Sequence, residues 1–466
     1  MEFAFRRAGL VLCLAAGSAA AQTPPQATPD TQSLRREMDA LRADYEQRIR
    51  ALEQRLQAAE NAMQSGATAP TAVAAPAPAA PTAVAATPGG GGSRAPLLDV
   101  SMILAGQYTR SSRDPADYRI SGFSLPTDAE AGPGSRGFSL AETELAFTAN
   151  IDPWFRGFAA VALTPANTVS VEEAYVQTTS LGKGLTLKAG RFFSGIGYLN
   201  SQHAHTWDFA DAPLAYQAML GTQFADDGLQ LSWLAPTDHF IQLQAEVGRG
   251  RSFPGSDTSR NGSGAVALAA HTGGDIGESH SWRAGVSYLQ AKADAQDLSA
   301  FDTLGNPIVN SFTGNTRVWI ADAVWKWAPN GNAVRQNFKL QGEYLHSTRD
   351  GSLVADTGGA AAPGDYRVSQ SGWYLQGIYQ FMPRWRVGLR TERLSPGTPD
   401  YGANAGLVGL DGNSPRKNSI MVDWNPSEFS RVRLQLAQDR ARQGSADNQL
   451  TIQYQMSLGA HGAHSY

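Results

Sequence analysis

The sequence is poor in cysteine, with Cys13 alone among 466 residues. That cysteine lies in an N-terminal stretch with basic Arg6 and Arg7, an apolar core over 10–16 and small residues at Ala19, Ala20 and Ala21. Such a stretch reads as a signal peptide over residues 1–21, cleaved before Gln22. The remaining chain then has no thiol, so disulfides cannot hold it together. Long apolar runs are absent too: nowhere do about eighteen apolar residues follow one another, which excludes membrane-spanning helices. Charge is sparse at 17%, with a net −4, and leaves no electrostatic footprint for nucleic acid. Catalytic signatures are also missing. No Gly-x-Ser-x-Gly, His-Glu-x-x-His or phosphate-cradling glycine loop occurs, so no enzyme is expected.

What is present divides into three segments. Over 30–65, Leu34, Met38, Leu41, Tyr45, Ile49, Leu52, Leu56 and Met63 recur at spacings of mostly three and four, with Arg, Glu and Gln between them. This predicts a helix with a coiled-coil seam and one stutter after Tyr45. A stripe that narrow favours self-association. Residues 66–96 are Ala, Pro and Thr followed by a glycine run, the composition of a tether.

From residue 97 the period changes to two. Leu229, Leu231 and Trp233 alternate with Gln230 and Ser232; Ile241, Leu243, Ala245 and Val247 alternate with Gln242, Gln244 and Glu246. The same pattern recurs over 385–392 and 450–458. Tight turns such as Asp152-Pro153, 181–184, 236–238, 382–384 and 425–428 come at every second connection. Long connections lie between them, at 110–137, 194–226, 292–315, 347–365 and 395–415. Short turns on one side and long loops on the other are the mark of a transmembrane barrel. Trp154, Trp233, Trp282, Trp325, Trp327, Trp385 and Trp424 gather at the tight turns, as aromatic rings do at a lipid headgroup layer. The expectation is therefore an all-β, 16-stranded antiparallel transmembrane β-barrel over 97–466, preceded by the N-terminal α-helical coiled coil. An even strand number puts both barrel ends, and the coiled coil, on the periplasmic side of a Gram-negative outer membrane.

The stretch Val171-Glu172-Glu173-Ala174-Tyr175-Val176, with Leu187-Lys188-Ala189-Gly190-Arg191-Phe192, resembles phosphate-selective-porin-like proteins. That resemblance implies a sixteen-stranded and usually homotrimeric outer-membrane channel, some members of the family carrying N-terminal coiled coils. Asn200 to Phe209, together with the tail from Gly459 to His464, resembles outer-membrane proteins described as zinc-regulated and receptor-like. Those labels imply metal uptake, whereas an energised receptor needs a folded plug and about twenty-two strands. Residues 22–97 read as one helix and a tether.

The longest loop, 194–226, is the third external connection and the expected constriction. Its candidate pore residues are His203, His205, Asp208, Asp211 and Tyr216, because rings of charge set channel selectivity. The expected lumen charges are of both signs: Lys188, Lys326, Lys339, Arg386, Arg390, Arg431 and Arg433 against Glu142, Glu144, Glu246, Asp322, Glu343, Glu392 and Asp423. His203 and His205, two apart, would share a face and are the candidate ligands of a metal such as zinc. Tyr466 is the expected aromatic end that barrel assembly machinery recognises. The function expected is passive diffusion of small hydrophilic solutes or ions. A zinc-linked uptake receptor and an envelope tether, with the coiled coil touching peptidoglycan or a periplasmic partner, stand as alternatives.

Overall fold

A computed structural model describes residues 98–459, apart from 142, 166, 167, 258–260 and 445. The signal peptide, the coiled coil, the tether, Glu142, His461, His464 and Tyr466 lie outside the described residues.

One antiparallel sheet closes on itself. Its segments are β1 (Asp99–Ser111), β2 (Gly137–Leu140), β3 (Thr143–Asn150), β4 (Phe155–Leu163), β5 (Val169–Thr178) and β6 (Leu185–Phe193). There follow β7 (Ala225–Leu234), β8 (Phe240–Gly248), β9 (Ala265–Ile276), β10 (His280–Phe301), β11 (Pro307–Trp327) and β12 (Asn337–Ala355). The ring is completed by β13 (Ala362–Met382), β14 (Trp385–Ser395), β15 (Arg416–Ser427), β16 (Ser430–Asp439) and β17 (Asp447–Gly459). Segments β2 and β3 both pair with β1, Gly106 to Thr109 against the former and Asp99 to Ile103 against the latter. They are one stave with a break after Leu140, so seventeen segments make sixteen staves. β1 also pairs with β17, which closes the ring and leaves no open edge.

The wall is uneven in height. Staves β4, β6 and β8 have 9 residues each, whereas β10, β11 and β13 have 22, 21 and 21. At about 3.3 Å per residue, nine residues reach about 30 Å, one hydrocarbon thickness. The tall staves stand well above it. Here the sequence reading needs correction: most of 292–315 and 347–365 is strand, and the reversals shrink to 302–306 and 356–361. The physical reason is an inversion of the alternation. Lower on β11, Trp319 faces outward and is 52% exposed, while Asp322 faces in. Higher on the same strand the outer face carries Thr313, Asn315 and Arg317, and the inner face carries Phe312 and Val318. Arg317 is paired with Asp350 of β12 on that outer surface at 2.6 Å. A wall that leaves lipid meets water outside, and here it covers an apolar core inside.

That core lies within the barrel. Ile120, Phe123 and Leu125 of the first long loop and Ile196, Leu214 and Met219 of the third pack with inner-wall Leu289, Phe312, Ile320, Leu345, Leu353 and Leu394. The outer surface carries an apolar band instead, with Leu229, Leu243, Leu389, Ile420 and Ile452 exposed. Trp385 and Trp424, opposed across β14 and β15, stack 6.0 Å apart near the tight turns. A second aromatic set, Tyr288 with Trp319 and Tyr344 opposite Trp373, marks the other edge of the apolar band. From Trp327 to Trp319 the strand runs about 25 Å, the height of a transmembrane apolar belt.

Candidate functional site: the third loop in the lumen

The loop over 194–224 leaves β6 and returns to β7 through the inside of the barrel. Asn200 ties its two ends: Nδ2 donates to the carbonyls of Ser194 and Phe224, and Oδ1 accepts from Phe224 N at 2.8 Å. Within it, helix α1 (Leu214–Leu220) is buried along its whole length and ends on Gly221 in a left-handed conformation. Partners of the loop lie on β3, β5, β10, β12, β13, β14, β15 and β16, so the segment crosses the lumen instead of lining one wall.

Three sets of contacts hold it. The first is a clasp. Glu343 on β12 accepts the backbone N–H groups of Tyr198 and Leu199 at 3.0 and 3.1 Å, and the hydroxyls of Tyr216 and Tyr374 at 2.8 and 2.5 Å. Burial pushes the Tyr216 hydroxyl well above its ordinary pKa, and the facing Glu343 carboxylate adds to this.

The second set is ionic. Asp208 meets Lys339 Nζ at 2.5 Å, Arg386 Nη1 at 3.2 Å and Gln376 Nε2 at 3.2 Å. Asp211 meets Lys417 Nζ at 2.7 Å, Arg390 Nη2 at 2.8 Å and Gln435 Nε2 at 2.7 Å. Behind them Asp423 bridges Arg386 and Arg433, and Glu392 takes Arg390 Nε at 2.8 Å and the Leu214 N–H at 2.5 Å. Arg431 Nη2 donates to the His205 carbonyl at 2.9 Å and to Gln455 at 2.6 Å. Burial alone would raise both loop carboxyls. For Asp208 the charges of Lys339 and Arg386 reverse this and hold it below the ordinary range. Arg390 and Lys417 do the same for Asp211, more strongly.

The third set centres on the histidines. His203 Nε2 lies 2.9 Å from Glu173 Oε2, and Nδ1 lies 3.0 Å from Glu144 Oε2 and 3.4 Å from Glu172 Oε2. His205 Nδ1 is 3.4 Å from the same Glu144 oxygen, and the two imidazoles stack at 5.6 Å. Burial disfavours the His203 cation, yet the three carboxylates overcome this and hold its pKa well above the ordinary value.

Every pore residue expected from the sequence thus sits inside the barrel, with Asp208, Asp211 and Tyr216 in direct contact with wall residues. Of the expected lumen charges, Glu144, Lys339, Glu343, Arg386, Arg390, Glu392, Asp423, Arg431 and Arg433 gather around this loop. Glu246 reaches it through the Gly195 N–H at 2.8 Å. Lys188 instead lies over the rings of Tyr175 and Phe192. Asp322 faces His271 at 3.5 Å and lies opposite Glu343 in the register of β11 and β12. Lys326 is half-buried on β11. Lys417, Glu172 and Glu173 belong to the site, and the sequence reading did not assign them to it. Lys417 has the same strand parity as Ser419, Met421 and Asp423, a signal that reading the strand one pair further would have caught.

Comparison with known proteins leaves the chain without a family model that matches. A protein of Aquifex aeolicus described as uncharacterized is 28% identical over 398 residues, covering 79% of this chain and 80% of its own. Among solved structures, an anion-selective porin from Comamonas acidovorans has 10% identity and a TM-score of 0.47, covering 78% of this chain and 99% of its own. Pseudomonas putida OprB has 16% identity and a TM-score of 0.47, with coverage of 78% and 94%. The outer membrane channel DcaP of Acinetobacter baumannii has 11% identity and a TM-score of 0.45, with coverage of 78% and 97%. None shares enough sequence to transfer the role of any residue.

Proposed function

We propose that the protein is an outer-membrane channel for small hydrophilic solutes or ions, whose selectivity is set where the third loop meets the basic wall of β12, β14 and β15. The observation that carries this is the pairing of two loop carboxylates, Asp208 and Asp211, with four wall cations: Lys339, Arg386, Arg390 and Lys417. Rings of charge at the narrowest level decide which ions pass. Here the loop neutralises the basic wall, so the lumen is mixed in sign, and phosphate is not favoured over other solutes. The loop contacts across the lumen support a narrowed pore, in which transport uses the space they leave or their partial release.

Three copies are part of this reading. On the short staves a shallow outer groove is lined by Phe147, Ala149, Gly157, Ala159, Ala174 and Ala189. Small side chains at membrane depth let two walls approach closely, the way small residues serve packing in lipid. Native mass spectrometry should then give a trimer mass.

Swelling of proteoliposomes in sugars of increasing size tests the channel itself. Rates that fall steeply with solute size are expected. Absence of swelling with a correctly folded barrel would remove the proposal.

A further inference from the structure

The cluster around His203 has a feature that docking the loop does not require. β5 pairs with β4 through a register shift: Ala160 opposes Glu173 and Val161 opposes Val171, which leaves Glu172 as an extra residue. A bulge of this kind re-aims a side chain that regular alternation would send to the other face. On an unbroken strand Glu172 and Glu173 would point to opposite sides of the wall. Here both carboxylates reach one imidazole from within the barrel. Opposite β5, Gly190 of β6 adopts φ +130°, and a Cβ there would lie 2.2 Å from the Ala174 carbonyl. Only glycine lets the two strands approach this closely beside the bulge.

The atoms are spaced as metal ligands are spaced. Zinc bonds of about 2.1 Å in a tetrahedron leave ligand atoms about 3.4 Å apart. The distances are 3.0 Å from His203 Nδ1 to Glu144 Oε2, 3.4 Å from His203 Nδ1 to Glu172 Oε2 and 3.4 Å from His205 Nδ1 to Glu144 Oε2. Ligand atoms of Glu144, His203 and His205 all lie within 4.8 Å of one another. His203 Nδ1 and Glu144 Oε2 are both buried and lie 3.0 Å apart, in a geometry poorly aligned for a regular hydrogen bond. Glu144 is only 4% exposed. The other ring nitrogen, Nε2, is hydrogen-bonded to Glu173 at 2.9 Å. A metal-bound histidine is commonly oriented in this way, with its free N–H donated to a carboxylate.

We infer that Glu144, His203 and His205 form a binding site for one divalent transition-metal ion, with Glu172 beside His203 and Glu173 orienting it. Two imidazoles with a carboxylate suit Zn2+ over the hard cations Ca2+ and Mg2+, which prefer all-oxygen shells. Bound there, the ion fastens the third loop to β3 and β5, across the lumen from the ion pairs of Asp208 and Asp211. This inference stands apart from transport, since the site is complete whether or not solutes pass.

Titration calorimetry of the folded, detergent-solubilised barrel with Zn2+ alone tests it. One ion per chain is expected, with Ca2+ and Mg2+ giving no signal, and Glu144→Gln with His205→Gln weakening Zn2+ binding at least 100-fold. Co2+ added to the unaltered protein supplies a readout that does not depend on variants folding: visible absorption of a four-coordinate site, removed by one equivalent of Zn2+. Binding that survives both substitutions, or an octahedral Co2+ spectrum, would overturn the assignment. Absence of Zn2+ binding would do so as well and would leave the cluster as carboxylates bridged by a protonated imidazole.

Discussion

Tyr216 donates its hydroxyl to Glu343 at 2.8 Å, joining the buried helix of the third loop to the inner face of β12. The same carboxylate takes two backbone N–H groups from the start of the loop. One wall residue therefore fixes both the entry of the loop and its helix. Tyr216→Phe leaves the ring in place and removes one donor. It should weaken docking by about 1–2 kcal/mol and speed proteolysis within 194–224, with the heat-modifiable mobility of the barrel on gels unchanged. Limited proteolysis beside that gel assay checks both parts.

The docked loop should tolerate acid. The ordinary pKa of an aspartate is about 3.9, and Asp208 and Asp211 are held below that range by the cations they face. A carboxyl whose folded pKa is depressed contributes stability above its unfolded pKa and loses that contribution only as pH falls through the folded value. The part of the loop's protease resistance that Asp208→Asn with Asp211→Asn removes should then stay flat as pH drops from 7 through 4 and fall only below the ordinary carboxylate range. Loss of that difference between pH 6 and 5 would show that the ion pairs are not part of the latch.

The lipid-facing assignment of the outer wall makes a contrast between two positions. Leu389 on β14 is 61% exposed within the apolar band. Leu389→Arg should cost about 2–4 kcal/mol, as arginine does near the bilayer midplane. Asn315→Arg, on the outer face of β11 above that band, should change stability by about 0.5 kcal/mol or less. Urea titrations of folding into vesicles compare the two directly.

The barrel was legible in the sequence because lipid outside and water inside force strict alternation on each stave. Turn positions such as Asp152-Pro153 and Met382-Pro383-Arg384 were visible for a related reason, since a tight reversal needs particular residues. The upper parts of β10 to β13 were not, because there the wall keeps its period but exchanges its faces. Ser311, Thr313 and Asn315 outside, against Phe312 within, look like loop to a search for outward apolar residues. The third loop stood out by its length and by Trp207, Phe209 and Met219, unusual for a solvated segment. Its partners could not be read in advance. Asp211 lies 206 residues from Lys417, and only ring closure brings them to 2.7 Å. Glu172 and Glu173 were quoted as part of a strand, since a bulge leaves no mark in the alternation of a single sequence.

The central claim is a water-filled path controlled by the third loop, and single-channel recording in a planar bilayer tests it most directly. The unaltered protein should open small steps with weak ion preference, because Asp208 and Asp211 neutralise the wall cations. Asp208→Asn combined with Asp211→Asn removes two negative charges beside Lys339, Arg386, Arg390 and Lys417, so conductance should rise and the reversal potential in a salt gradient should shift toward anions. Folded protein that opens no steps in either form, or a reversal potential that the double substitution leaves unmoved, would contradict the account.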